Sequence, residues 1–334
     1  MFLIYINNMN KKKQNKEIDI QLYNDDCFNV FNKIEENKID LVLVDLPYNQ
    51  TSCDWDISID LEEMWIQLKR ICKKHCIYCF FTTTKYGIQI INSNPKWFRY
   101  DLVWEKSKKV GFLTANKMPL RKHEMIYIFC DNVEDKKGLN RDIMKYSRKL
   151  FKYINKTKKE IKKDIGDMSH FFTGLNVKQF RIPTEKKYKK MIEIYNINKL
   201  DYFLSYKELK KQYTNNTNKC YNPQMEKGKP YKTKGIGKIA IYNRKRLDND
   251  NKGTRHPISI LRFNNPKKTL HPTQKPVNIL EWLIKTYSNE GDYVLDFCMG
   301  SGSTGIGCIN TKRNFIGIEK EKKYFDICKK RFLK

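Results

Sequence analysis

No apolar run in this 334-residue chain approaches the roughly 20 consecutive residues that a membrane-spanning helix needs. The opening Met1-Phe2-Leu3-Ile4-Tyr5-Ile6 is apolar but far shorter than a signal-peptide core, and Lys11-Lys12-Lys13 follows it too late to be a signal's charged start. Neither export nor membrane attachment is expected. Internal repeats are missing. The ten cysteines show no disulfide-scaffold spacing, and a chain of this length buries enough core to need no covalent staples, so reduced thiols in a cytoplasmic compartment are expected.

Negative charge is also scarce. Only 37 Asp and Glu stand against 66 Lys and Arg, a formal charge of +29, which is more than solubility requires and creates a field that attracts polyanions. Part of the excess reflects a general preference for Lys and Asn, so its distribution carries more than its total. Residues 136–218 hold 22 Lys and Arg against 8 Asp and Glu. This stretch reads as helical: Thr157 to Gly166 is a short helix stopped by Gly, and Pro183-Thr184-Glu185 opens another that runs to about Tyr195. A basic helical insert at 136–218 is expected between two halves of a larger domain, 18–135 and 219–334; the plainer alternative is a solvated Lys-rich excursion.

Those halves alternate strands and helices. Strands are expected at residues 18–23, 39–44, 76–82, 100–104, 125–129, 293–297 and 315–318. Helices are expected at 60–70, 277–287, 303–310 and 322–332. This order predicts an α/β fold with a doubly wound, Rossmann-like sheet, which places its chemistry at the carboxyl ends of its strands.

Two strand ends stand out. Val294-Leu295-Asp296-Phe297 leads into Gly300-Ser301-Gly302-Ser303-Thr304-Gly305, a strand, a GxGxxG turn and a helix start, where glycines admit a ligand close to backbone and the helix terminus offers free N–H groups. Glu319 ends the next strand, where a carboxylate can accept both ribose hydroxyls of an adenosine cofactor. A nicotinamide dinucleotide fits that pattern equally well. At the other strand end, Asp45-Leu46-Pro47-Tyr48 sets a carboxylate and an adjacent carbonyl beside an aromatic ring. An exocyclic base amine is a poor nucleophile because its lone pair is delocalised, and two acceptors for its N–H hydrogens favour a tetrahedral nitrogen. Tyr48 can stack on a base that has left its duplex. An ordinary strand-to-turn exit is the simpler reading of that segment taken alone.

With both segments in one chain, the sequence resembles the site-specific adenine DNA methyltransferases whose catalytic segment precedes the cofactor segment. The continuation Asn49 to Asp56, Arg121-Lys122-His123-Glu124, Tyr221-Asn222-Pro223-Gln224 and His271-Pro272-Thr273-Gln274-Lys275-Pro276 are similar to that family as well. The resemblance implies S-adenosyl-L-methionine as cofactor, no metal, and methylation of adenine N6 in double-stranded DNA by base flipping and direct in-line transfer. It implies that Asp26 contacts the cofactor adenine, Glu319 its ribose, and Thr273 and Lys275 its methionine end, with Asp296, Phe297, Gly300, Gly302 and Thr304 shaping the rest. Asp45, the Leu46 carbonyl, Pro47 and Tyr48 would hold the flipped adenine. His123 and Glu124 would shape the base pocket, with His123 toward DNA, or simply form a polar pair ending a loop before a buried strand; Gln179 and Arg181 in the insert would read base edges, while Phe and Ile around them would form the insert's core. The commonest family form has a proline where this chain has Leu46. A monomer or homodimer in the cytoplasm of a bacterium or phage-infected cell is expected, with a cognate restriction endonuclease as a partner.

Four other readings compete. Asp rather than Ser at position 45 favours adenine over cytosine N4, an imperfect rule. A catalytically silent DNA-binding protein would lack an intact Asp45 and glycine loop. RNA attracts the same charge as DNA. Finally, Cys72-Lys73-Lys74-His75-Cys76-Ile77-Tyr78-Cys79 has the CxxxCxxC spacing of radical S-adenosylmethionine enzymes, but a cluster needs its thiolates to face one point, and Cys76 to Phe81 reads as a strand entering the core.

Overall fold

The computed structural model describes residues 2–6, 17–47, 58–131, 141–172, 180–215, 221–235, 237–239, 244–245 and 248–333. The chain divides into two compact units, one formed by Met1–Cys130 with Cys220–Lys334 and the other by Asp131–Lys219.

The larger unit is built on nine strands: β1 (Phe2–Ile6), β2 (Ile18–Asn24), β3 (Ile39–Asp45), β4 (Cys72–Thr82), β5 (Phe98–Val110), β6 (Arg121–Cys130), β13 (Ile260–Arg262), β14 (Tyr293–Asp296) and β15 (Asn314–Glu319). Their spatial order is β1-β2-β15-β14-β3-β4-β6-β5-β13. The run from β2 to β4 is parallel, β6 is antiparallel to both its neighbours, and β1 closes the far edge as an antiparallel strand. Six short strands, β7 (Glu226–Lys227), β8 (Tyr231–Thr233), β9 (Lys238–Ile239), β10 (Arg244–Lys245), β11 (Asn249–Asn251) and β12 (Thr254–Arg255), form three small antiparallel pairs.

The fold is doubly wound because the central strands are apolar on both faces. Leu41 and Leu43 of β3 and Ile77, Cys79 and Phe81 of β4 join one core with α9 (Val277–Tyr287), α10 (Ser303–Thr311) and α11 (Lys322–Phe332). Val42, Val44, Tyr78 and Phe80 join the opposite core with α1 (Cys27–Phe31), α2 (Leu61–Ile71) and α3 (Thr84–Ser93). Helix α2 begins where the Asp60 carboxylate accepts the Glu62 and Glu63 N–H groups, and it buries Met64, Trp65, Leu68 and Ile71. Trp65 sits edge-on to Tyr78, Phe80 and Trp97.

From β3 the chain winds outward to β4, and from β14 it winds the other way to β15. Adjacent β3 and β14 therefore form the switch point of the sheet, where a crevice opens beyond the strand ends.

The smaller unit is helical: α4 (Arg141–Ile154), α5 (Lys158–Ile165), α6 (Ser169–Phe172), α7 (Glu185–Tyr195) and α8 (Tyr206–Asn215). Thr157 and Glu160 form a reciprocal capping box at the start of α5, and Gly166 ends that helix at φ +96°. Phe171, Phe172, Phe180, Tyr188, Met191 and Leu209 pack together inside.

Candidate active site

Three adjacent parallel strands of the sheet, β15, β14 and β3, end in a carboxylate. Buried apolar residues fix β3, β14 and β15, and their last residues, Asp45, Asp296 and Glu319, emerge at the same edge of the sheet. All three line one cavity of about 300 Å³, within the range that holds small molecules. Asp26, Leu46, Pro47, Phe297, Gly300, Thr304, Thr273 and Lys275 line it too. Segments more than 200 positions apart in sequence thus meet in one cleft.

The glycine turn forms one side. Gly300 donates its N–H to Glu319 Oε2 at 2.8 Å and Glu321 donates to Oε1 at 2.8 Å. Asp296 accepts from Thr304 Oγ1 at 2.6 Å and from the Cys298 N–H at 3.1 Å. Burial pushes the Asp296 carboxyl up to about 7 and raises Glu319. Gly300 and Gly302 have φ of +51° and +76°. Gly302 does not line the cavity; a Cβ there would lie 2.4 Å from Cys328 Sγ and 2.8 Å from the Phe332 ring of α11. Asp26 caps α1 by accepting the Phe28 N–H at 3.0 Å and pairs with Lys320 at 3.2 Å.

A charge cluster forms the other side. Lys275 Nζ lies 2.5 Å from Asp45 Oδ2 and 2.9 Å from Glu124 Oε1, while Lys106 Nζ lies 2.6 Å from Glu124 Oε2. Burial opposes the Lys275 charge, but Asp45 and Glu124 outweigh it and hold the ammonium's pKa above its ordinary value. Burial raises Asp45 to about 6, with Lys275 pulling it down and Glu124 pushing it up. Glu124 is lowered: burial acts against this, and the Lys275 and Lys106 charges prevail. Asp45 Oδ1 is buried and has no hydrogen-bond partner among the described residues. The Leu46 side chain is buried in the core beneath, anchoring the turn where the commonest family form uses proline.

His271 packs edge-on to Tyr324 with ring centroids 4.1 Å apart and lies 3.2 Å from Thr273 Oγ1 through Nδ1. Burial and the Lys275 charge lower it to about 4, so it is neutral.

Sequence reasoning singled out Asp45, Asp296, Glu319 and Lys275; the Lys275 ammonium, expected near the cofactor's methionine end, lies on the cavity wall and pairs with two carboxylates. Lys106 was missed because it begins a Lys-rich run. Its signal was the alternation with Leu102 and Trp104, which places it on the inward face of β5. His271 stood out only as the start of the family-like segment His271 to Pro276, with no role assigned to it. His123 is exposed on β6, and Arg181 is an exposed residue of the helical unit. Tyr48 and Gln179 lie outside the described residues, as does the segment Asn49 to Asp56. The three cysteines of the CxxxCxxC run do not converge: Cys79 faces one core, and Cys72 and Cys76 face the other. Among the described residues no group of His, Cys, Asp and Glu is placed to hold a metal ion, and no helix is long and apolar enough to cross a membrane.

Strand-end carboxylates around a glycine turn, at the switch point of a doubly wound sheet, define an α/β protein of the nucleotide-cofactor-binding class. A family model for N6/N4 methyltransferases, described as DNA methylase, matches residues 39–330; the chain belongs to that family. It is 52% identical over 64 residues to the type II methyltransferase M2.LlaDCHI of Lactococcus lactis subsp. cremoris, covering 19% of this chain and 24% of that protein. It is 51% identical over 61 residues to the type II methyltransferase M2.DpnII of Streptococcus pneumoniae, covering 18% and 23%. These matches span about a quarter of the curated relatives' length. Among solved structures, an M1.HpyAVI–SAM complex overlaps 93% of this chain and 99% of its own at 18% identity and a TM-score of 0.47. The cytosine-N4-specific PvuII DNA methyltransferase overlaps 94% and 86% at 12% identity and 0.49.

Proposed function

We propose that this protein methylates the N6 amino group of adenine in a specific double-stranded DNA sequence, with S-adenosyl-L-methionine as methyl donor. The observation that carries the reading is Asp45: the residue lines the cavity that the glycine turn shares, one carboxylate oxygen is fixed by Lys275, and the other is buried with no hydrogen-bond partner among the described residues.

The residues present fit the cofactor. Glu319 receives backbone N–H groups on both oxygens and keeps lone pairs for ribose hydroxyls, Asp26 offers a carboxylate at the other strand end for the adenine, and Gly300 presents backbone without a side chain. Thr273 borders the methionine end. When bound, S-adenosyl-L-methionine supplies an electrophilic methyl group on a sulfonium.

The protein's own part is to prepare the amine. Asp45 Oδ1 and the Leu46 carbonyl accept its two N–H hydrogens, localising the nitrogen lone pair. Lys275 acts as a positioning residue: it fixes Oδ2 and so aims Oδ1. After transfer the nitrogen carries one proton too many, and a carboxylate poised at about 6 accepts and releases it near neutral pH. Tyr48, following Pro47, stacks on the flipped base in this reading. Gln179 and Arg181 in the basic helical unit contact DNA, and His123 faces it. In this reading a cognate restriction endonuclease is the biological partner.

Expression in a host lacking DNA methylases, followed by nucleoside analysis of its DNA, tests this. N6-methyladenine is expected, and none with Asp45→Ala, whose cofactor binding persists. N4-methylcytosine would reassign the base, and unmodified DNA from well-folded wild-type protein would reject the activity.

A further inference from the structure

Past the residues that pair with β4 and β13, β5 and β6 run on together as a two-stranded ribbon whose end carries exposed apolar side chains. Val110, Phe112, Leu113 and Met118 are 50%, 78%, 86% and 58% exposed, four large apolar side chains on one turn. The turn is built: Gly111 at φ +93° opens a 3-10 turn over Phe112–Thr114, Thr114 Oγ1 bonds the Gly111 carbonyl at 3.0 Å, and Lys117 and Met118 donate to the Thr114 carbonyl at 2.9 and 3.0 Å. Between Lys106 and Lys122 the chain has no acidic residue, whereas the exposed Lys108, Lys109, Lys117 and Arg121 flank the apolar tip along the chain. The ribbon is tied to the reacting site: its register places Val110 opposite Arg121 and Trp104 opposite Glu124, and Glu124 holds Lys275 against Asp45. Arg121 is three residues, about 10 Å along a strand, from Glu124.

We propose that Phe112 and Leu113 form a wedge that enters the DNA base stack and keeps open the place vacated by the target base. An apolar tip in a basic collar suits insertion between base pairs with the lysines on the flanking phosphates, and extruding a base leaves a gap whose unstacking cost a wedge offsets. A second copy of this chain is disfavoured as the occupant because it would bring the same positive charge to the patch. This inference rests on the base-flipping reading above, and it adds the residues that hold the duplex open.

Once the modified motif has been read from cellular DNA, the test compares wild type, Phe112→Trp and the double variant F112A/L113A. Each is assayed on a perfect duplex and on one with an abasic site opposite the target. The double variant is expected to melt like wild type and bind cofactor equally. Its methyl transfer should slow about tenfold or more on the perfect duplex, recover on the abasic one, and leave 2-aminopurine at the target position unbrightened. Phe112→Trp retains activity. Wild-type rates for the double variant, or equal losses on both duplexes, overturn the wedge alone. A tip that binds phosphatidylserine vesicles or sets the oligomeric state, with transfer unaffected, overturns it as well. Wild-type protein that transfers no methyl to any duplex defeats the parent reading and the wedge together.

Discussion

Lys275 Nζ meets Asp45 Oδ2 at 2.5 Å across 230 positions of sequence. The same ammonium reaches Glu124, whose other oxygen is held by Lys106, so two cations and two carboxylates share one largely buried site. A lone buried charge is costly, and a balanced set with short contacts offsets that cost. The arrangement leaves Asp45 with a fixed rotamer and one oxygen available.

Replacing Lys275 with Met therefore removes both the balance and the aim. Asp45 should titrate above its present value of about 6, and the acid limb of methyl transfer should move to higher pH. Stability should fall by about 3–5 kcal/mol, the usual effect of stranding a buried partner. The combined K275M/E124Q variant should regain part of that stability and none of the rate. A pH–rate profile alongside denaturant unfolding reads both effects; an unmoved acid limb would show that Lys275 does not act on Asp45.

The wild-type profile carries its own expectation. Asp45 is a strong acceptor, able to take up the amine's surplus proton, when ionised and a much weaker one when protonated, so transfer should fall as pH drops through about 6. Asp45→Asn keeps the shape, loses that limb, and should slow single-turnover transfer by about 10²–10⁴-fold. A limb that persists in the Asn variant would assign the titration to another group.

How much of this was legible in the sequence depends on distance along the chain. The apolar run of β3 ending in Asp45 and the glycine turn after β14 are local patterns, and each marks a strand end. The capping box of Thr157 and Glu160 is equally local. By contrast, β1 is an edge strand only because it pairs antiparallel with β2, and a short apolar run carries no sign of that. The Lys275–Asp45 contact is set by the winding of the whole sheet. Asn222, inside one of the family-like segments, turns out to donate through Nδ2 to the carbonyls of Lys285 and Ser288 at the end of α9, a structural task that motif matching does not separate from a chemical one.

Gly302 is a similar case. Its φ of +76° and the 2.4 Å approach of Cys328 Sγ to an added Cβ combine left-handed backbone with overpacking, so Gly302→Ala should cost about 2–4 kcal/mol. Adding Cys328→Ala should restore part of it. Gly300→Ala meets only the His271 ring at 3.4 Å and should cost about 1–2 kcal/mol while weakening cofactor binding. Thermal melts with calorimetric titration separate the two positions.

In the helical unit, neighbouring residues should part company. Phe180 is fully buried against Phe171, with ring centroids 5.8 Å apart, so Phe180→Ala should cost about 3–5 kcal/mol. Arg181 is exposed, and Arg181→Ala should change stability by less than about 0.5 kcal/mol. If Arg181 reads a base edge, its loss relaxes sequence preference; if it holds a phosphate, the salt dependence of DNA affinity drops by about one counterion without a change in preference. No change in either would remove Arg181 from the DNA interface.

Asp296 sets stability against binding. Its carboxyl is buried and raised to about 7, whereas in the unfolded chain it titrates near the ordinary aspartate value. Because the folded pKa is the higher one, the folded state holds the proton more tightly. The contribution to stability is then fully present below about pH 4 and is lost as pH rises toward about 7. The loss is at most about 4 kcal/mol, from roughly three units at 1.36 kcal/mol each. Asp296→Asn removes that titration while still accepting from Thr304 or Cys298. The variant's melting temperature should therefore match wild type in acid and exceed it above neutrality, with cofactor affinity reduced at every pH. Parallel melting curves from acid to alkaline buffer decide the matter: a pH-independent difference would mean that Asp296 is already ionised in acid and that hydrogen bonds to Thr304 and Cys298, rather than burial, govern its charge.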